Sequence, residues 1–127
     1  MEREQRILIV EPDQKLAQKS HLLFRKEGFV ANTTERASEA IRNIQEEHIS
    51  VLVLDVGVKD MAWDEAVPII KGLAPELPII MTSSYNTPEL ESSILRHKTF
   101  YYHVKSFGTE ELLLAVRNAL DKPKAHR

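Results

Sequence analysis

Val51-Leu52-Val53-Leu54-Asp55 constrains the fold of this chain more than any other stretch. An unbroken apolar run this short reads as a strand covered on both faces, the pattern of a parallel sheet. Neither face of such a strand can meet water, so helices must cover both. The run stops at a carboxylate. In open α/β sheets the carboxyl ends of the strands are where ligands and chemistry gather. A lone aspartate at a strand end is more often a turn or helix cap. Asp55 gains weight from the residues that other strands bring to the same edge.

The pattern recurs along the chain. Ile7-Leu8-Ile9-Val10 is a second apolar run, and it ends in Glu11, Pro12 and Asp13. Helical spacing over residues 14–27 sets Leu16, Ala17, Leu23 and Phe24 on one face. Asp13 is placed to cap that helix and Gly28 to end it. Phe29-Val30-Ala31 reads as a short strand. Thr34 is expected to open a helix whose inner face is Ala37, Ala40, Ile41 and Ile44, closing at His48. The charge run over residues 42–47 is its solvated face. Beyond Asp55 and a loop over residues 56–63, Asp64 is expected to cap a helix through Leu73. Pro68 is placed in its first turn, where backbone amides lack partners anyway. Residues 78–82 form a fourth strand with Ser83 at its end. Thr87 and Pro88 read as an N-cap followed by proline at the first helical position. That helix reaches about His97, with Leu90 and Ile94 inward. Residues 100–104 form a fifth strand ending at Lys105. Thr109 caps a last helix with the stripe Leu112, Leu113, Val116, Ala119 and Leu120, ended by Pro123.

Strands alternating with helices give a parallel sheet with right-handed crossovers. The expected fold is α/β: a doubly wound five-stranded parallel sheet of strand order 2-1-3-4-5 in a three-layer α/β/α sandwich, flavodoxin-like. The ends of strands one, three, four and five then converge, carrying Glu11 and Asp13, Asp55, Ser83, and Lys105. A chain of 127 residues suits one domain, assigned to 1–122, with 123–127 a tail or the start of a linker. Net charge of -2 supplies no basic field for direct nucleic-acid or anionic-membrane binding. No apolar run approaches the ~20 residues of a membrane span. The charged first residues lead into no apolar stretch of signal-peptide length, so a cytoplasmic location is expected. Cysteine is absent, which excludes a disulfide framework or thiolate metal site. The five histidines lack ligand spacing and read as surface or packing residues.

Acids around a central aspartate suit a hard cation such as magnesium. An aspartate can accept a phosphoryl group covalently. A lysine ammonium and a serine hydroxyl can balance and bond the phosphoryl oxygens. Other chemistries on such a fold lack their signatures. Glu11-Pro12-Asp13-Gln14 is neither a flavin phosphate loop nor a GxGxxG turn. Position 57, where an aspartate-based phosphatase would typically carry a second acid, is glycine.

The motifs ILIVEPD, VLVLDVGVKDM, PIIMTSS and YYHVKSF occur in an order and spacing that resemble the receiver domain of two-component response regulators, over residues 5–121. The resemblance implies that Asp55 is the phosphoacceptor, supplied by a sensor histidine kinase or phosphotransfer protein. It implies that Ser83 is the hydroxyl that senses the phosphoryl group and Lys105 the family's site lysine. Tyr102 matches the aromatic that swings inward on activation. Magnesium is the implied cofactor, held by Asp55, the Gly57 carbonyl and, through water, Glu11. Such a domain is a signalling phosphoprotein rather than a turnover enzyme. Its output would pass to an effector domain or a second copy through the face of the fourth helix, fifth strand and fifth helix.

Four departures stand out. Pro12 occupies the direct metal-ligand position and has no ligand side chain. Asp13, one residue later, is open to two readings, metal ligand or helix cap. Ala62-Trp63 stands where the family often has Asp-Gly, and Ser106 replaces the proline after the lysine. Magnesium is therefore expected to bind weakly or not at all. The alternative reading is a degenerate receiver that serves as a phosphorylation-independent interaction module. A cis bond before a non-proline residue costs ~2.5–4 kcal/mol, so the Lys105–Ser106 bond is expected trans, with the loop rearranged and Lys105 displaced. Four of the eight aromatic residues fall in residues 100–107. Phe100 and Tyr102 are expected to share one strand face and Tyr101 to take the other, with Tyr102 or Tyr101 at the centre of a partner contact.

Overall fold

Every residue of β3 (Val51–Asp55) is buried, and the strand takes the centre of a five-stranded sheet in the computed structural model, which describes residues 4–121. The other elements are β1 (Arg6–Val10), α1 (Gln14–Lys26), β2 (Val30–Thr34), α2 (Ala37–Glu46), α3 (Trp63–Leu73), β4 (Ile79–Ser83), α4 (Pro88–Arg96), β5 (Tyr101–Val104) and α5 (Thr109–Asp121). All strand pairs are parallel, in the order β2-β1-β3-β4-β5. This is the architecture expected from the apolar runs. Pro123 and the tail assigned to 123–127 lie outside the described residues. Among the described residues, no helix is long and apolar enough to cross a membrane.

Side-chain alternation along the strands divides the interior in two. Leu8, Val10, Leu52, Leu54, Ile79 and Met81 point toward α2, α3 and α4, where Ala37, Ala40, Val67, Ile70 and Ile94 meet them. Ile7, Ile9, Val51, Val53 and Ile80 point the other way, onto Phe24 of α1 and Leu112, Val116 and Ala119 of α5. Burying one large aliphatic or aromatic side chain contributes about 1.5–3 kcal/mol, whereas one helix cap contributes about 1 kcal/mol. The two helix layers therefore carry the fold, and the caps trim it. Asp13 caps α1, accepting from the amides of Lys15 and Leu16, and Gly28 follows its end at φ +95°. Thr87 caps α4 by accepting the Leu90 amide, with Pro88 at the first helical position. These match the sequence expectations.

Thr34 does not open a helix. It ends β2, whose five residues pair in register with β1 from Arg6↔Val30 to Val10↔Thr34. Pairing with an apolar neighbour overrides the weak strand pattern of Val30-Ala31-Asn32-Thr33-Thr34. α3 starts at Trp63, so Asp64 lies in its first turn and is not its cap. Pro68 then falls in the second turn, where the missing N–H leaves the Asp64 carbonyl without its helical partner. The proline is exposed, which keeps its ring off the core. α5 includes Thr109 as its first residue. β5 starts at Tyr101, and Phe100 packs against the α1–α5 cluster while Tyr102 packs against the α2–α3–α4 cluster, so the two do not share a face.

α2 has no cap of its own, because Arg36 makes no side-chain cap bond. Asp60, in the loop after β3, supplies it: Oδ1 accepts the Ala37 amide at 2.8 Å and Oδ2 the Ser38 amide at 2.9 Å. The slight burial of Asp60 pushes its carboxyl up, but the bonds from Ser38 and Ala37 outweigh this and hold it below the ordinary carboxylate range. A lowered pKa gives stability that is present above the unfolded value and lost as pH falls through the folded one. Asp60→Ala is expected to cost about 1 kcal/mol at neutral pH. Urea titrations should show the gap closing below about pH 4; a gap that persists to lower pH would mean the ionised cap is not its source.

Candidate functional site

The same alternation that splits the core builds the site. Glu11 continues the side-chain parity of Ile7 and Ile9, Asp55 that of Val51 and Val53, and Thr82 that of Ile80. All three emerge at the carboxyl edge on the α1–α5 side. Asp55 is 5% exposed and Glu11 6%. Asp55 Oδ1 accepts from the Thr82 hydroxyl at 2.8 Å and lies 2.8 Å from Lys105 Nζ. Asp55 Oδ2 accepts the Gly57 amide at 2.8 Å. Lys105 Nζ also lies 2.6 Å from Glu11 Oε1, and Glu11 Oε2 accepts the Asp13 amide at 3.1 Å.

Burial pushes the Glu11 carboxyl up, against the bonds it receives from Lys105 and the Asp13 amide. Burial would lower Lys105, but Asp55 and Glu11 outweigh it and hold the ammonium above its ordinary range. One lysine thus bridges two buried carboxylates, the arrangement that makes such a cluster affordable in a low dielectric. Lys105 is not displaced. Among the described residues no peptide bond is cis, as expected for Lys105–Ser106. A 3-10 turn over Lys105–Phe107 absorbs the change of direction instead, and the lysine still reaches Asp55.

Ser83, fully buried, is not on Asp55. Its parity is that of Met81, toward α4, where its hydroxyl donates to the Tyr85 carbonyl at 2.5 Å and accepts the Tyr85 amide at 3.1 Å. The Tyr102 hydroxyl donates to Asn86 Oδ1 at 2.9 Å and reaches the same Tyr85 carbonyl at 3.3 Å. Ser83 and Tyr102 are therefore joined through one backbone oxygen. The hydroxyl that Asp55 does hold, Thr82, was not read from the sequence. The parallel register Asp55↔Thr82 places it there, and counting alternation from Ile80 would have found it.

Gly57 lets the backbone come close to the carboxylate: a Cβ there would lie 2.8 Å from Asp55 Oδ2, so any other residue would push that oxygen aside. The donor set does not fit a magnesium ion well. Pro12 offers no ligand, and the Asp13 carboxylate is committed to capping α1. The Lys105 ammonium already sits against both remaining acids and competes with a cation for them. Among the described residues no group of three or more His, Cys, Asp or Glu side chains is arranged to hold a metal. His103, read as a surface or packing residue, is buried on β5. Burial lowers its pKa against the pull of Glu111, whose Oε1 lies 3.5 Å from its Nδ1.

The sequence pattern of the response regulator receiver domain matches residues 7–117. The regulatory protein AtoC of Escherichia coli K12 is 26% identical over 115 residues, covering 91% of this chain and 25% of that protein. A putative NtrX-like response regulator of Rickettsia bellii is 22% identical over 123 residues, covering 95% of this chain and 26% of its own length. The chain spans about a quarter of the length of such relatives. In three dimensions, a CheY-like receiver domain protein of Methanospirillum hungatei JF-1 superposes with a TM-score of 0.87 at 24% identity, covering 94% of this chain and 95% of that one. The beryllofluoride-activated NtrC4 receiver domain, solved as a dimer, gives 0.85 at 22% identity over 91% of this chain and 96% of that one.

Proposed function

This chain belongs to the response regulator receiver domain family, and from that membership we propose that it accepts a phosphoryl group on Asp55 from a histidine kinase or phosphotransfer protein. The observation that carries the reading is the Asp55 carboxylate itself. It is buried at the end of the central strand, with a lysine ammonium and a backbone amide each at 2.8 Å. In the transfer, a carboxylate oxygen bonds to phosphorus as the bond from phosphorus to the donor atom breaks, and the donor atom leaves with its electron pair. Lys105 supplies positive charge where the phosphoryl oxygens arrive, and the Gly57 amide fixes the carboxylate. Ser83 and Tyr102 would carry the signal through the Tyr85 carbonyl to the face of α4, β5 and α5. There Tyr101 is half-exposed and Phe107 is 66% exposed, open to an effector domain or a second copy.

The test is intact mass after incubation with acetyl phosphate and magnesium, with Asp55→Asn beside the parent. The parent is expected to gain one phosphoryl group and the variant none. No gain in the parent would favour the second reading, a receiver that binds its partner without phosphorylation. One observation supports that reading: Lys105 already bridges Glu11 and Asp55, so each acid has a cationic partner within the protein itself.

A further inference from the structure

A carboxylate has about four lone-pair directions, and the neighbours of Asp55 divide them unequally. Oδ1 meets both the Thr82 hydroxyl and the Lys105 ammonium, each at 2.8 Å. Among the described residues, Oδ2 meets only the Gly57 amide. The free direction is on Oδ2, and the space beside it exists because residue 57 has no side chain. Attack through Oδ2 turns Oδ1 into the carbonyl oxygen of an acyl phosphate. The two donors on Oδ1 then differ. Lys105 has a long flexible stem and a second partner in Glu11, so it can follow the phosphoryl oxygens. Thr82 is β-branched, stiff at its first torsion, 3% exposed and fixed in β4 opposite Asp55.

We propose that Thr82 sets the lifetime of the aspartyl phosphate: its hydroxyl stays on Oδ1 in the phosphorylated state and hastens the loss of the phosphoryl group to water. This rests on Asp55 being the phosphoacceptor. In hydrolysis the water oxygen bonds to phosphorus and the phosphorus–Oδ2 bond breaks. Its electron pair returns to the carboxylate, and a water proton leaves with the phosphate or to solvent. Negative charge grows on the carboxylate as that bond breaks, and Oδ1 shares it. A donor fixed at Oδ1 stabilises this growing charge more than the neutral carbonyl that precedes it. Thr82 touches Asp55 and not the phosphoryl group, so it is a positioning residue.

The experiment follows decay by intact mass, after acetyl phosphate is removed, for the full chain and its Thr82→Val, Thr82→Ser and Thr82→Cys variants. Thr82→Val keeps the branch and loses the hydroxyl. It is expected to lose its phosphoryl group about tenfold more slowly, the scale of one charge-assisted hydrogen bond. Thr82→Ser keeps a hydroxyl and should decay within about threefold of the parent. Thr82→Cys, a weak donor, should fall between them, and it keeps the comparison available if the valine variant does not fold. A purely structural role would make decay track thermal stability and would not be rescued by serine. Decay of Thr82→Val at the parent rate, or slowing in Thr82→Ser as large as in Thr82→Val, would overturn the proposal alone. A parent that forms no adduct on Asp55 would overturn the phosphoacceptor reading and this one with it.

Discussion

Lys105→Met is expected to lose about 3 kcal/mol of stability at pH 7, because removing one partner of a buried ionic cluster strands the other. Two nearly buried carboxylates, Glu11 and Asp55, hold the ammonium at 2.6 and 2.8 Å and would keep no cation at those distances. The Lys105 side chain is 21% exposed, which places the loss at the low end of the range for buried pairs. The sign with pH follows from the shifts. Lys105 is raised above its ordinary value, so its contribution is present at every pH below the unfolded value and lost as pH rises through the folded one. The deficit of the variant should therefore shrink in alkali. Glu11, already raised by burial, rises further without its lysine. The native variant then holds a proton that the unfolded chain has lost, and its stability improves as pH falls. Urea midpoints measured from acid to alkali should show the largest gap near neutrality. A deficit below about 1 kcal/mol at pH 7 would reduce the bridge to an ordinary surface pair.

Pro12→Asp is expected to tighten magnesium binding at least tenfold, or about 1.4 kcal/mol. Magnesium requires near-octahedral oxygen geometry and sheds its waters reluctantly, so each charged ligand counts. The parent offers Asp55 and the Gly57 carbonyl, with Glu11 already bonded to Lys105. A carboxylate at position 12 would sit beside Gly57, whose missing Cβ lies 3.8 Å from the proline ring. It would also give the metal a charge with which to compete against Lys105 for Asp55. Isothermal titration of both proteins reads the difference directly. Equal affinities would show that the proline does not limit the site.

The apolar runs at residues 7–10 and 51–54 were sufficient to specify a parallel sheet, and the sheet placed Glu11, Asp55 and Lys105 together. β2 was misread because Asn32, Thr33 and Thr34 carry no apolar pattern, and their extended form comes from β1. Thr82 and Ser83 stand side by side in the chain, and choosing between them requires the side-chain parity of β4 rather than residue type. The Asp60 cap was invisible for another reason. A capping residue is sought next to its helix, and this one comes 22 residues after Ser38, delivered by tertiary structure. The displacement expected of Lys105 failed because a trans bond followed by a tight turn reaches the same place.

The Asp60 cap also bears on the order in which the chain can be made. A ribosome extends the chain at about 5–20 residues per second, so Ser38 precedes its capping carboxylate by roughly one to four seconds. During that interval α2, at ten residues, is shorter than the ~12–15 that an isolated helix needs. Two of its leading amides also wait for a partner not yet synthesised. The nascent β1–α1–β2 unit must therefore do without a settled α2, and the helix is locked only when β3 slots beside β1 and carries the loop across. Synthesis runs from one end to the other, but the first half of this domain is completed from its middle.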